Sequence, residues 1–134
     1  MKLVAACLCG VNCRFNGKHK LNQEIVDMVA RGEAIPVCPE QMGGLPTPRE
    51  ACEQQGNKVI SPTGKDYTEA FNKGADETLK LAKAIGATEF IGRVKSPSCG
   101  TEKVFDGTFS DTLTSGNGVT AELLKKNGIK VTSI

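Results

Sequence analysis

Apolar positions along this chain fall into two alternating rhythms. Residues 2 to 6, KLVAA, make an apolar run of strand length that enters a loop with turn residues Gly10, Asn12, Asn16 and Gly17. From about 22 to 31 the spacing turns helical: Ile25 and Val29 share a face, Asn22 stands at the cap, Leu21 can staple onto Val26, and Gly32 follows the last turn. AIPVC, 34 to 38, predicts a second strand. Behind it, PEQMGGLPTPRE holds three prolines and two adjacent glycines in twelve residues, which predicts a rigid loop or turn. The longest amphipathic pattern runs from 66 to 86, where Tyr67, Phe71, Ala75, Leu81, Ala82 and Ile85 recur near the helical period and Gly86 closes it. TEFIGRVK, 88 to 95, predicts a third buried strand and SPSCGT a loop after it. A hairpin-like stretch around Asp106 and Gly107, a helix at about 118 to 127 and a terminal strand IKVTS complete the order. No internal repeat, linker or low-complexity segment interrupts it.

Strands that alternate with helices predict an α/β fold with a mostly parallel sheet, because parallel neighbours need crossover connections. Such sheets bind ligands beyond the carboxyl ends of their strands. At 134 residues, with 39% hydrophobic and 24% charged side chains, the chain has the size and balance of one domain spanning 1 to 134. The formal charge of +2 is too small to indicate nucleic acid or a polybasic membrane surface. No apolar stretch approaches the roughly 18 residues of a membrane span, and nothing resembles a signal peptide, so a cytoplasmic location is expected.

That location changes the reading of six cysteines. Cytosolic thiols stay reduced, so clustered cysteines bind metal or do chemistry more often than they form structural disulfides. Cys7, Cys38 and Cys99 each fall at or just past the carboxyl end of a different predicted strand, and one parallel sheet brings all three to one edge. Three convergent thiolates can hold a metal with one open position, as catalytic zinc and cuboidal iron-sulfur clusters do, and Cys9 and Cys13 are on hand as a fourth ligand. No CxxC pair is present, which argues against a thioredoxin-type site and ordinary zinc ribbons; spacing alone leaves zinc and iron-sulfur both open. Cys52 lies in a polar stretch away from these loops and reads as a small buried hydrophobe. Glu40, Ser96 and Ser98 add a carboxylate and hydroxyls beside Cys38 and Cys99, an acid/base inventory. Arg14 and Arg49 flank the same edge and can bind an anion or a carbonyl, whereas His19, in GKHK, is assigned no role.

Three blocks, CLCGVNCRFNG, CPEQMGGLPTPR and SPSCG, closely resemble the signature blocks of a small bacterial and archaeal family. That family, long catalogued as a domain of unknown function, includes the thiouracil desulfidases. The likeness spans nearly the whole chain, and each block joins a cysteine to an unusual proline and glycine pattern. The resemblance implies a Rossmann-like three-layer α/β fold and an oxygen-labile 4Fe-4S cluster held by three cysteines. The family's recurring cysteines fall on Cys7, Cys13, Cys38 and Cys99, with Cys7, Cys38 and Cys99 as ligands. Its catalytic carboxylate falls on Glu40 and its serine on Ser96 or Ser98. Departures are Ala5 and Ala6 where many members carry a serine, RFNG in place of RYDG, and Cys9 where leucine is common.

The activity so implied is a non-redox desulfuration of thiolated pyrimidines, thiouracil to uracil plus hydrosulfide, by an enzyme that hydrolyses a carbon-sulfur bond. The open iron takes the sulfur, Glu40 activates water, and the backbone of Gly43 and Gly44, with Arg14 and Arg49, faces the pyrimidine. Two other readings compete: a zinc-stabilised binding module, and an iron-sulfur sulfur carrier or oxygen sensor without turnover.

Overall fold

A computed structural model of the protein describes residues 1–134. Its centre is a four-stranded sheet made of β1 (Lys2–Ala5), β2 (Ala34–Val37), β5 (Glu89–Gly92) and β8 (Lys130–Ser133), in the order β2-β1-β5-β8. Every pairing is parallel, with Leu3 opposite Ile35 on one side and Phe90 on the other. The run Leu3, Val4, Ala5 is buried on both faces, the condition under which a strand loses its polar alternation. Pro36 cannot donate to a ladder, and it sits in β2 at the sheet edge where that lack is tolerated.

Helix α1 (Gln23–Ala30) carries the chain from β1 to β2, α3 (Thr68–Ile85) leads to β5, and α4 (Val119–Lys126) leads to β8. Right-handed crossovers put α1 on one face of the sheet and α3 with α4 on the other, and α3 does pack against α4. The result is three layers of a Rossmann-like α/β fold: the alternation predicted the parallel sheet, and the family resemblance implied the layering. Asn22 caps α1 through its side chain, which accepts the Ile25 N–H at 3.3 Å, and Ile25 is its buried anchor.

Three details differ from the sequence-based expectation. The stretch after Cys38 is not all loop: Pro39–Met42 forms a short helix, α2, because proline at the first helical position gives up an N–H that would have no partner anyway. Gly43 and Gly74 let α2 lie directly on α3, since a Cβ on Gly74 would stand 2.0 Å from the Pro39 carbonyl oxygen. The strand read as 2 to 6 stops at Ala5, and Ala6–Cys9 winds into a 3-10 turn. Finally, a hairpin of β3 (Glu53–Gln55) and β4 (Lys58–Ile60) is present where no element was expected. The hairpin foreseen around Asp106 and Gly107 does form, from β6 (Lys103–Phe105) and β7 (Leu113–Ser115). Gln55 ties the two hairpins together by donating to the Gly107 carbonyl (2.8 Å), and Gln54 donates to the Asn117 carbonyl just past β7 (3.0 Å).

Candidate active site

A cavity of about 620 Å³ opens beyond the carboxyl ends of β2, β1 and β5. It covers the place where the chain, having stepped from β1 outward to β2, reverses to β5, the switch point at which open α/β sheets bind ligands. Cys7 reaches it from the 3-10 turn after β1, Cys38 from the head of α2, and Cys99 from the loop after β5. Cys99 can pack this close because Gly92 ends β5: a Cβ there would lie 2.2 Å from the Cys99 carbonyl oxygen. The Arg93 N–H then donates to Cys99 Sγ at 3.3 Å.

Cys13 is buried beside Cys7 and Cys38, and the Cys38 thiol donates to the Cys13 carbonyl at 3.8 Å. Hydrogen bonding from Cys13 holds Cys7 below the usual thiol range against the opposing effect of burial. The same thiol draws Cys38 down to about 7, helped by the N–H of Gln41. Cys13 pays the reverse effect and holds its proton tightly. Burial pushes Cys99 up to about 12, opposed by a hydrogen bond from Ser96 and the Arg93 N–H. Two of the three candidate ligands are thus poised toward the thiolate that binds metal.

Glu40 lies on the same wall, its side chain 15% exposed, and pairs with Arg49, 6% exposed, at 2.8 Å from Nε to Oε2. Burial raises its proton affinity and the Arg49 guanidinium opposes that rise. Arg49, expected to bind substrate, lines the cavity, and four of its five N–H donors are committed: to Glu40, to the Pro46 carbonyl and Thr47 Oγ1 (both 3.1 Å), and to the Cys13 carbonyl at 2.8 Å. These bonds fasten the α2 segment to the cysteine loop. Arg14 lines the cavity with its guanidinium 5.7 Å from the Phe15 ring centroid.

The two serines separate. Ser96 lines the cavity, and its Oγ accepts the N–H groups of Ser98 and Cys99, each at 3.1 Å. Ser98 is 1% exposed and pairs with Thr120 Oγ1 at 2.9 Å, away from the cavity. Gly43 and Gly44 do not line it either. Their N–H groups close the end of α2 by donating to the carbonyls of Pro39, Glu40 and Gln41, which leaves none for a pyrimidine. Cys52 departs in the other direction: it belongs to the cavity wall, where burial and the charge of Glu40 push its thiol up to about 11.

No three His, Cys, Asp or Glu side chains come together as they would around a single metal ion. Soft thiols spread over the wall of a cavity this large fit a group bigger than one ion.

The model of the 2-thiouracil desulfurase family matches residues 3–134. The chain belongs to that family. It is 41% identical over 143 residues to YbbK of Bacillus subtilis (strain 168), an uncharacterized protein, covering 99% of this chain and 95% of YbbK. Among solved structures it is similar to TudS, a 4Fe-4S-dependent thiouracil desulfidase, with a TM-score of 0.94 and 38% identity over 98% of this chain and 88% of that one. No helix of this desulfurase-family chain is long and apolar enough to cross a membrane.

Sequence reasoning missed the outer wall of the desulfurase-family site. Phe15, Phe105 and Phe109 line the cavity together with Glu53 and Lys95. One signal was available: FDGTFSD places two aromatic rings in a turn-rich stretch that no helical or strand period ties to a core.

Proposed function

We infer that the protein is an iron-sulfur-dependent enzyme that replaces the sulfur of a thiolated pyrimidine by oxygen. The observation that carries this reading is the meeting of Cys7, Cys38, Cys99 and Glu40 on one cavity. Membership of the 2-thiouracil desulfurase family and the likeness to TudS support it. Cys7, Cys38 and Cys99 would hold a 4Fe-4S cluster. When bound, such a cluster with one iron free of protein supplies a Lewis-acidic position for a soft sulfur donor.

The remaining chemistry belongs to the side chains. Water adds to the carbon bearing sulfur while its proton passes to Glu40, whose raised proton affinity suits that task. The adduct then expels sulfur as hydrosulfide and becomes a carbonyl, so C=S and water yield C=O and hydrogen sulfide with no electron transferred. Arg49 holds the Glu40 carboxylate in place, and Ser96 orients Cys99. Cys13, buried beside Cys7 and Cys38, anchors Cys38 through its backbone carbonyl. Ser98 takes no part in the chemistry.

The test is anaerobic reconstitution followed by assays of iron, sulfide, zinc and hydrosulfide release from 2-thiouracil and 4-thiouracil. About four irons per chain with hydrosulfide release is the expected result. Cys99→Ser should lose iron, and Glu40→Gln should keep iron while activity falls by about 100-fold or more. A colourless, zinc-loaded, inert protein would overturn the reading, and a fully active Glu40→Gln would remove Glu40 from it.

A further inference from the structure

The chain has five phenylalanines and no tryptophan. Phe71 and Phe90 are buried in the core, as aromatic rings normally are. The other three all border the cavity, although they come from distant parts of the chain: Phe15 from the cysteine loop, Phe105 from the end of β6, and Phe109 from the tip of the β6–β7 hairpin. Phe15 remains 39% exposed. Rings left at a solvent-filled cavity forgo burial that a core would give them.

Phe109 is also held in an unusual backbone conformation. Its φ is +55° and that of Asp111 is +59°, a left-handed region that a bulky side chain rarely occupies. Such residues persist only where their surroundings over-determine them. Here the surroundings are polar ties from the neighbouring hairpin. The Glu53 carboxylate accepts the N–H groups of Gly107 (3.0 Å) and Phe109 (3.2 Å), and Gln55 donates to the Gly107 carbonyl at 2.8 Å. Within the tip, Asp106 Oδ1 accepts the Thr108 N–H at 3.0 Å, and the Asp106 N–H donates to the Thr112 carbonyl at 2.9 Å. Five hydrogen bonds fix a six-residue tip whose one large side chain borders the cavity. The Arg14 guanidinium stands over Phe15, a further ring of the cavity lining, and steadies it.

We propose that Phe109, positioned by Glu53, works with Phe105 and Phe15 as a π-stacking wall that selects a flat, conjugated heterocycle. The occupant is a planar pyrimidine ring, which rests on the reading of the site as a thiopyrimidine desulfidase. Stacking of a base on an aromatic ring is tolerant of ring substituents because every base has a π face, and it fails for a saturated ring of the same outline. The wall therefore reads ring planarity, while the sulfur and its carbon are handled at the thiol wall of the cavity.

Uracil and 5,6-dihydrouracil separate these effects, since they share the two carbonyls and both N–H groups and differ in the conjugation of C5 and C6. Dissociation constants of both should be measured by calorimetry on the reconstituted protein, for wild type, Phe109→Ala and Phe109→Tyr. Wild type should favour uracil by about tenfold, Phe109→Ala should abolish that preference while weakening uracil roughly 5- to 150-fold, and Phe109→Tyr should retain it. Iron content and thermal midpoint of each variant report its integrity. Equal binding of the two compounds to wild type, no binding of either, or an unaltered preference in Phe109→Ala would overturn the proposal. Hydrosulfide release from 2-thiouracil is followed in parallel. A protein that prefers uracil through Phe109 but releases no hydrosulfide refutes the desulfidase reading alone, and an active protein indifferent to Phe109 refutes the wall alone.

Discussion

Arg49→Met removes a guanidinium that is 6% exposed and leaves the Glu40 carboxylate, 15% exposed, without its partner. Deleting one member of a buried ion pair costs about 3–5 kcal/mol, and the residual exposure of Glu40 places this site at about 3 kcal/mol. The Cys13 and Pro46 carbonyls lose their donors in the same change, so the loss is not electrostatic alone. At roughly 3–4 °C per kcal/mol for a chain of this size, the thermal midpoint of the reduced, cluster-free protein should fall by about 10 °C. With an m-value of about 2 kcal/mol/M, the urea midpoint should fall by about 1.5 M. Arg49→Met combined with Glu40→Gln should regain about half of that loss, roughly 1.5 kcal/mol, because the uncompensated charge is then gone, and the coupling exceeds this by whatever Glu40→Gln costs alone. The dependence on pH has a definite sign. Burial already raises Glu40's proton affinity, and loss of Arg49 raises it further. A carboxyl with a raised folded pKa loses stability as pH climbs from its unfolded value to its folded one. The variant's deficit should therefore be largest at neutral pH and shrink on acidification into the ordinary carboxylate range. A single variant that loses less than about 1 kcal/mol, or a double variant that simply sums the two losses, would refute the account of Arg49 as the partner of a buried charge.

Gly74→Ala should destabilise the protein by about 1–3 kcal/mol despite the better helix propensity of alanine, because the new Cβ meets the Pro39 carbonyl at 2.0 Å and α2 must lift from α3. Hydrosulfide release should fall with it, since α2 carries Glu40; an unchanged thermal midpoint would refute the close approach. Ser98→Ala strands the buried Thr120 hydroxyl and should cost about 1–3 kcal/mol with kcat unchanged, whereas Ser96→Ala should mainly reduce iron retention. The opposite pattern in melting and iron assays would reverse the roles given to the two serines.

The central sheet was legible because its signals are local. LVA, AIPV and EFIG are short apolar runs, and their order among helices dictates parallel pairing and a shared carboxyl edge. The convergence of Cys7, Cys38 and Cys99 on that edge followed from topology before any side chain was placed. The outer wall was not legible in the same way. β3 and β4 read EQQ and KVI, three residues each with one apolar side chain between them that is fully buried, so no alternation marks them. The Gly56-Asn57 pair between them is nonetheless a two-residue hairpin signal. The proline and glycine density after Cys38 concealed α2, although proline is at home at a helix start. Nothing near Cys52 foretells its place in the cavity, because residues 49–53 get there by ties to distant segments, among them Arg49 to the Cys13 carbonyl and Glu53 to the β6–β7 tip.

These two kinds of construction divide the labour at the site. The cysteines hang from strand ends whose positions are set by apolar burial on both faces of the sheet, an arrangement that single polar substitutions barely move. Glu40 and the aromatic wall are instead held by discrete hydrogen bonds, Arg49 to Glu40 and Glu53 to Phe109, between segments that have little core of their own. Removing the Glu53 tie releases Phe109 and leaves the thiols where they were, whereas removing Arg49 also loosens α2, with Cys38 at its head, from the Cys13 loop. Retention of iron and choice of substrate should therefore vary independently across changes in the two hairpins, while changes at Arg49 or beneath β1 and β5 should affect both together.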